Sequence, residues 1–176
     1  MARIIEDNYA PSHEIAEWDF PLYSEILPGL WLGGTDDDDT IDFAADTFAH
    51  RNITKDDFDA VVTLYAWAQP VDWHVPEFRY GFYDSNEIII DHVALGMMVD
   101  FVMHHWKDGK KVLIRCQAGI NRSSFVMAFV LMREGYTAEE AISLMREKRS
   151  SWVLMNKSFE EFLLKTGRKE SLIDKS

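Results

Sequence analysis

Along this chain the spacing of apolar positions changes several times, and each change marks an element. Compact aliphatic runs at 30–33, 60–65, 78–83 and 111–115 predict strands, whereas apolar residues three and four apart over 40–51, 87–107, 122–135, 138–149 and 156–166 predict helices. The block Phe125-Val126-Met127-Ala128-Phe129-Val130-Leu131-Met132 is apolar around the whole helical circumference, which predicts a helix enclosed by protein. Gly135 supplies its C-terminal stop, and Thr137 with Glu140 three residues on predicts a capping box for the helix that follows. Residues 1–24 form an acidic lead-in carrying Tyr9, Trp18, Phe20 and Tyr23 without clear periodicity, and 167–176 read as a frayed tail. Strands alternating with helices predict an α/β fold, with one domain over 25–166.

Length and composition agree with that plan. A chain of 176 residues that is 47% apolar can bury an ordinary single core. The net charge of −12 is unevenly divided: residues 1–106 hold 4 Lys+Arg against 21 Asp+Glu, and residues 107–176 hold 14 against 9. The second half is therefore basic. A focused positive well on an acidic body attracts a compact anion and repels a long polyanion, so a nucleic-acid partner is not expected. The single cysteine excludes an internal disulfide, and neither a secretory signal nor an apolar run of about 18 residues stands out. The chain reads as cytoplasmic, without a membrane partner.

That cysteine carries the chemistry. Cys116-Gln117-Ala118-Gly119-Ile120-Asn121-Arg122-Ser123 follows the apolar run Val112-Leu113-Ile114 and precedes the long helical pattern, which describes a strand, a tight loop and a helix. Backbone N–H groups of residues 117–122 would converge on one point, joined by the positive end of the helix dipole. Such a loop binds a dianionic phosphoryl group. Gly119 permits a close backbone approach, and the planar fork of Arg122 can grip two phosphate oxygens. A thiolate in that field has its pKa lowered from about 8.5 toward roughly 3.5–7.5, so Cys116 is expected to be a nucleophile. Ser123 can donate its hydroxyl to the sulfur when the thiolate leaves. A buried structural cysteine is the alternative reading, and the Gly, Arg and Ser at fixed offsets weigh against it.

The stretch from Val112 to Phe162 resembles the dual-specificity branch of the cysteine-dependent phosphatases. Glu25-Ile26-Leu27-Pro28-Gly29-Leu30-Trp31-Leu32-Gly33 is similar to the opening strand of that family, and Met155-Asn156-Lys157-Ser158-Phe159 to its P-N-x-x-F segment. The resemblance implies the cysteine-phosphatase fold, a central mostly parallel sheet of four to five strands flanked by helices. It implies a phosphorylated protein as substrate, hydrolysis of phosphotyrosine, phosphoserine and phosphothreonine through a phosphocysteine, and no metal or organic cofactor. It also implies a general acid on a loop about thirty residues before the cysteine. Asp84 stands 32 positions before Cys116, with an Asx-turn or helix cap as its structural alternative and Asp91 as its competitor. Asn156 is implied as a supporting residue.

Three positions depart from the family pattern. Arg115 replaces the usual histidine before the cysteine, and either adds charge near the sulfur or, as strand alternation favours, turns away into an ion pair. Asn121 replaces a small hydroxyl residue; a G-x-N-R pairing also occurs in RNA 5′-triphosphatases, which keeps a nucleotide or RNA 5′-phosphatase as the alternative activity. Met155 replaces the proline. A phosphate-binding module that has lost turnover through Arg115 is the non-enzymatic alternative. Elsewhere, Asp36-Asp37-Asp38-Asp39 lacks the spacing of a calcium loop and reads as a solvated acidic turn, and the scattered histidines do not suggest zinc. Trp67 and Trp73 read either as pocket walls or as a satellite core, and Arg149 and Lys157 as an extension of the basic rim.

Overall fold

A computed structural model describes residues 16–18, 20–35, 41–43 and 52–173. Its strands are β1 (Ala16–Trp18), β2 (Tyr23–Leu27), β3 (Leu30–Gly33), β4 (Ile41–Phe43), β5 (Ala60–Thr63), β6 (Glu77–Arg79) and β7 (Val112–Arg115). Its helices are α1 (His92–Lys107), α2 (Arg122–Arg133), α3 (Ala138–Lys148) and α4 (Lys157–Ile173). The main sheet runs β2-β3-β7-β5-β6, with β2 antiparallel to β3 and every other pairing parallel; β1 and β4 form a separate parallel pair.

Strand β7 lies at the centre because all four of its side chains are buried, as a strand covered on both faces requires. Val112 and Ile114 face one core with Leu30, Leu32, Ala60 and Val62, and all four helices pack into that core. Leu113 and Val61 face the other, which is closed by Phe58, Val71, Val75 and the ring of Trp31. Burial of each such aliphatic side chain contributes about 1.5–3 kcal/mol before entropy is counted. Helix α2 runs behind β7 through Phe125, Val126, Met127 and Ala128, each wholly buried, as the unbroken apolar block predicts.

Several predicted boundaries are corrected. The opening strand is a hairpin, because Pro28-Gly29 turns the chain: Gly29 has φ +80° and its N–H donates to Glu25 Oε1 at 2.8 Å. Phe20, Leu22 and Tyr23 of the lead-in are buried in the cores or against Arg149. The predicted helix over 40–51 contains strand β4, and its remaining positions lie outside the described residues, as do Asp36–Asp39. Helix α1 starts at His92 rather than 87, since Asp91 caps it by accepting from Ala94 N at 2.9 Å. The strands predicted at 60–65 and 78–83 end at Thr63 and Arg79, where the chain leaves the sheet to form loops. Helix α4 continues past Gly167 to Ile173 instead of fraying; one interior glycine costs about 1 kcal/mol and does not end a helix. The Thr137–Glu140 capping box is present in both directions, at 2.8 and 3.1 Å.

Candidate active site

Cys116 lies at the carboxyl end of the central parallel strand, where α/β sheets hold their ligands. Its N–H donates to Gly33 O at 3.2 Å, its side chain is buried, and Sγ is 3.2 Å from Ser123 Oγ. The next four carbonyls are all accounted for: Gln117 O accepts from Thr35 N (2.8 Å), Ala118 O and Gly119 O from Arg149 (3.1 and 2.7 Å), and Ile120 O from Leu154 N (3.0 Å). Across a planar trans peptide the N–H points opposite to the C=O. The amides of Ala118, Gly119, Ile120 and Asn121 therefore point away from these contacts, an arrangement at the N-terminus of α2 that can accept an anion. Gly119 has φ +70°, and a Cβ there would meet the Gly33 backbone at 2.4 Å and Arg149 at 2.6 Å. No other residue fits.

Arg149, predicted as part of a surface rim, is buried beneath the loop. Its guanidinium donates to Gly119 O, Ala118 O, Pro21 O, Ser24 Oγ, Leu22 O and Leu32 O at 2.7–3.3 Å, and stacks on Phe20. Burial pulls its pKa down to about 9, opposed by the Cys116 sulfur, and it stays charged at neutral pH. Nothing in the sequence separates this arginine from a solvated one. Its acceptors are carbonyls brought together by tertiary structure, and no carboxylate at helical spacing marks it. Lys157 is exposed and pairs with Glu160 at 2.8 Å.

Arg122 opens α2 with its side chain buried, its guanidinium 5.5 Å from the Tyr65 ring and its Nη1 donating to Phe82 O at 3.3 Å. Its Nε is buried without an acceptor, so donor capacity is left for an anion. The carboxylate of Asp84 accepts from Asn121 Nδ2 at Oδ2 and from Asn156 Nδ2 at Oδ1, both at 2.8 Å. Asp84 thus does not cap a helix; that task falls to Asp91, which is thereby committed to the start of α1. Ser85 Oγ donates to Glu87 O at 2.7 Å.

Arg115 turns away from the sulfur, as strand alternation favours. It donates to Thr63 Oγ1 at 2.9 Å, Gln69 O at 2.7 Å and Glu77 Oε1 at 3.4 Å. Burial lowers its pKa, and the Glu77 carboxylate acts in the opposite sense. With Arg79, which donates to Ala66 O and Ala68 O, it braces the loop after β5. Trp67 and Trp73 on that loop are 71% and 85% exposed, so they are not a satellite core. Among the described residues, no three His, Cys, Asp or Glu side chains converge as a metal site would require, and no helix is long and apolar enough to cross a membrane.

Residues 55–169 match the dual specificity phosphatase catalytic domain. A putative tyrosine-protein phosphatase, AMV078, of Amsacta moorei entomopoxvirus is 40% identical over 134 residues, which cover 72% of this chain and 76% of the viral protein. Human dual specificity protein phosphatase 5 is 28% identical over 131 residues; the match takes in 72% of this chain but 31% of that protein, so the chain spans about a third of its length. The crystal structure of human DUSP28 matches with a TM-score of 0.67 at 20% identity, covering 89% of this chain and 99% of that one, which is a likeness of fold. By the family match over residues 55–169 and the 40% identical viral relative, the chain belongs to the dual-specificity phosphatase family.

Proposed function

We propose that the chain is a cysteine-dependent protein phosphatase that hydrolyses phosphotyrosine, phosphoserine and phosphothreonine monoesters in two displacements. Cys116 attacks phosphorus and the ester P–O bond breaks; Asp84 donates its proton to the departing oxygen as the S–P bond forms. The loop amides and Arg122 hold the three equatorial oxygens through the transition state. Water, deprotonated by the now ionised Asp84, then cleaves the phosphocysteine, and Ser123 donates a hydrogen bond to the leaving sulfur. The supporting observation is the buried Cys116–Ser123 contact of 3.2 Å across a loop whose carbonyls from Gln117 to Ile120 are all engaged elsewhere. The basic charge of the second half favours a compact phosphoester, and an unpaired thiol suits a reducing, cytoplasmic setting.

The RNA 5′-phosphatase alternative drew its support from Asn121, whose carboxamide is engaged by Asp84 and Asn156. The non-catalytic alternative drew on Arg115, whose guanidinium is bonded away from the sulfur. Turnover measured on a phosphotyrosine peptide, a phosphothreonine peptide and a 5′-triphosphate RNA tests the reading. Both peptides should be dephosphorylated faster than the RNA; a preference for the RNA, or no turnover of either peptide, would overturn it.

A further inference from the structure

Asn121 occupies the N-cap position of α2, where an asparagine side chain ordinarily accepts from the first free N–H groups of the helix. Here it makes no cap bond. Its Oδ1 accepts from Asn156 N at 3.0 Å in the protein interior, and its Nδ2 donates to Asp84 Oδ2 at 2.8 Å in a partly buried contact. The two partners fix the amide's orientation, since a backbone N–H needs an acceptor and a carboxylate needs a donor. Asn156 completes the arrangement: its Nδ2 donates to Asp84 Oδ1 at 2.8 Å and to Ser85 O at 3.0 Å, while its Oδ1 accepts from Ser158 N at 3.1 Å and from Phe159 N at 3.4 Å at the start of α4.

Asp84 is consequently held by one donor on each oxygen, which fixes the plane of the carboxylate. Each oxygen keeps a second lone pair for a proton. A carboxamide at position 121 is the group that can do this. It presents an acceptor and a donor side by side, it reaches both partners from the phosphate loop, and it leaves the N-terminal N–H groups of α2 without a side-chain cap, available to an anion. A hydroxyl is shorter and cannot span the two partners together.

We infer that Asn121, although part of the phosphate loop, is a positioning residue for the general acid: its side chain locks Asp84 to the loop that binds phosphate, so that proton donor and phosphoryl group keep one relative geometry. This rests on the reading of Asp84 as the acid. It also gives Asn121 a purpose unrelated to a triphosphate. Displacing a reacting group by about 1 Å can cost about 100-fold, within the roughly 10²- to 10⁴-fold that a general acid supplies.

The test compares Asn121→Ala, Asp84→Ala and the double variant on a phosphothreonine peptide, whose alkoxide needs a proton to leave, and on p-nitrophenyl phosphate, whose leaving group needs it far less. Asn121→Ala should lower kcat on the peptide by about 10- to 100-fold, a loss at least about ten times the one on the aryl ester. On the Asp84→Ala background the same change should cost under about threefold, because two residues acting through one proton transfer are not additive. Protection of Cys116 from alkylation by orthovanadate checks that the loop is folded, and Asn121→Ser, expected to change in the same sense, carries the comparison if the alanine variant does not fold. Equal losses on both esters, or an undiminished loss without Asp84, would overturn the role of Asn121. If Asp84→Ala itself fails to distinguish the two esters, the general-acid reading falls and this inference falls with it.

Discussion

Arg149→Met removes the guanidinium beneath the loop after Cys116 while keeping a side chain of similar reach and none of its donors. A buried charge exchanged for an apolar group can be neutral or stabilising when its partners leave with it. Here the partners stay: six oxygens lose a donor, two of them in the loop after Cys116. Leu22 O keeps a second donor, Gly34 N at 3.1 Å, and is spared. If only Ala118 O and Gly119 O end unsatisfied, at about 1–3 kcal/mol each, the loss is about 2–6 kcal/mol. We take about 4 kcal/mol, a large share of the roughly 5–15 kcal/mol that holds a domain together. For a chain of this size each kcal/mol shifts Tm by about 2–4 °C, so calorimetry should show a fall of about 8–16 °C. Arg149→Lys retains the charge but has three donors in place of five, and should fall between the two proteins. A decrease below about 3 °C in Arg149→Met would refute the reasoning, because the loop carbonyls would then be finding other partners at no cost.

Two further outcomes follow from the charges around the site. Arg115→Met should lower stability by about 2–3 kcal/mol through its lost bonds to Thr63, Gln69 and Glu77, while the rate at which iodoacetamide alkylates Cys116 at neutral pH changes less than about twofold; a tenfold slower alkylation would mean that the guanidinium acts on the sulfur after all. Glu160 is pushed upward by burial, but hydrogen bonds from Lys157 and Arg146 outweigh this and hold its carboxyl below the usual value. A depressed folded pKa stabilises above the unfolded pKa and is lost as pH falls through the folded one. Glu160→Gln should therefore lower Tm at neutral pH by an amount that shrinks from about pH 4.5 downward, and a difference that does not change with pH would contradict the ion pairs.

The strand, tight loop and helix around Cys116 were legible because they are local: Cys116, Gly119, Arg122 and Ser123 lie within eight consecutive residues, and strand and helix patterns flank them. Strand β7 and helix α2 were legible for the same reason, as near-continuous apolar runs imply burial on all sides. What escaped was set by distant partners. Arg149 looks like any helix-end cation until carbonyls of residues 21, 22, 32, 118 and 119 gather around it. The apolar pattern starts α1 too early because Asp91 fits an amphipathic helix as readily as a cap, and the bond to Ala94 N decides which. Asn121 carried an analogy from its flanking residues, whereas its bonds run 35 and 37 positions away in the chain.

The central claim is that Cys116 carries the phosphoryl group between substrate and water. Acid-quenching the reaction with p-nitrophenyl phosphate during the first turnover, followed by mass spectrometry of the peptide containing Cys116, observes that step directly. The account predicts one phosphoryl group on Cys116 within the burst of the first turnover, and neither adduct nor turnover in Cys116→Ser, which should still bind phosphate through the intact loop amides. Turnover that continues in Cys116→Ser, or a phosphoryl group found on another residue of the wild type, would contradict it.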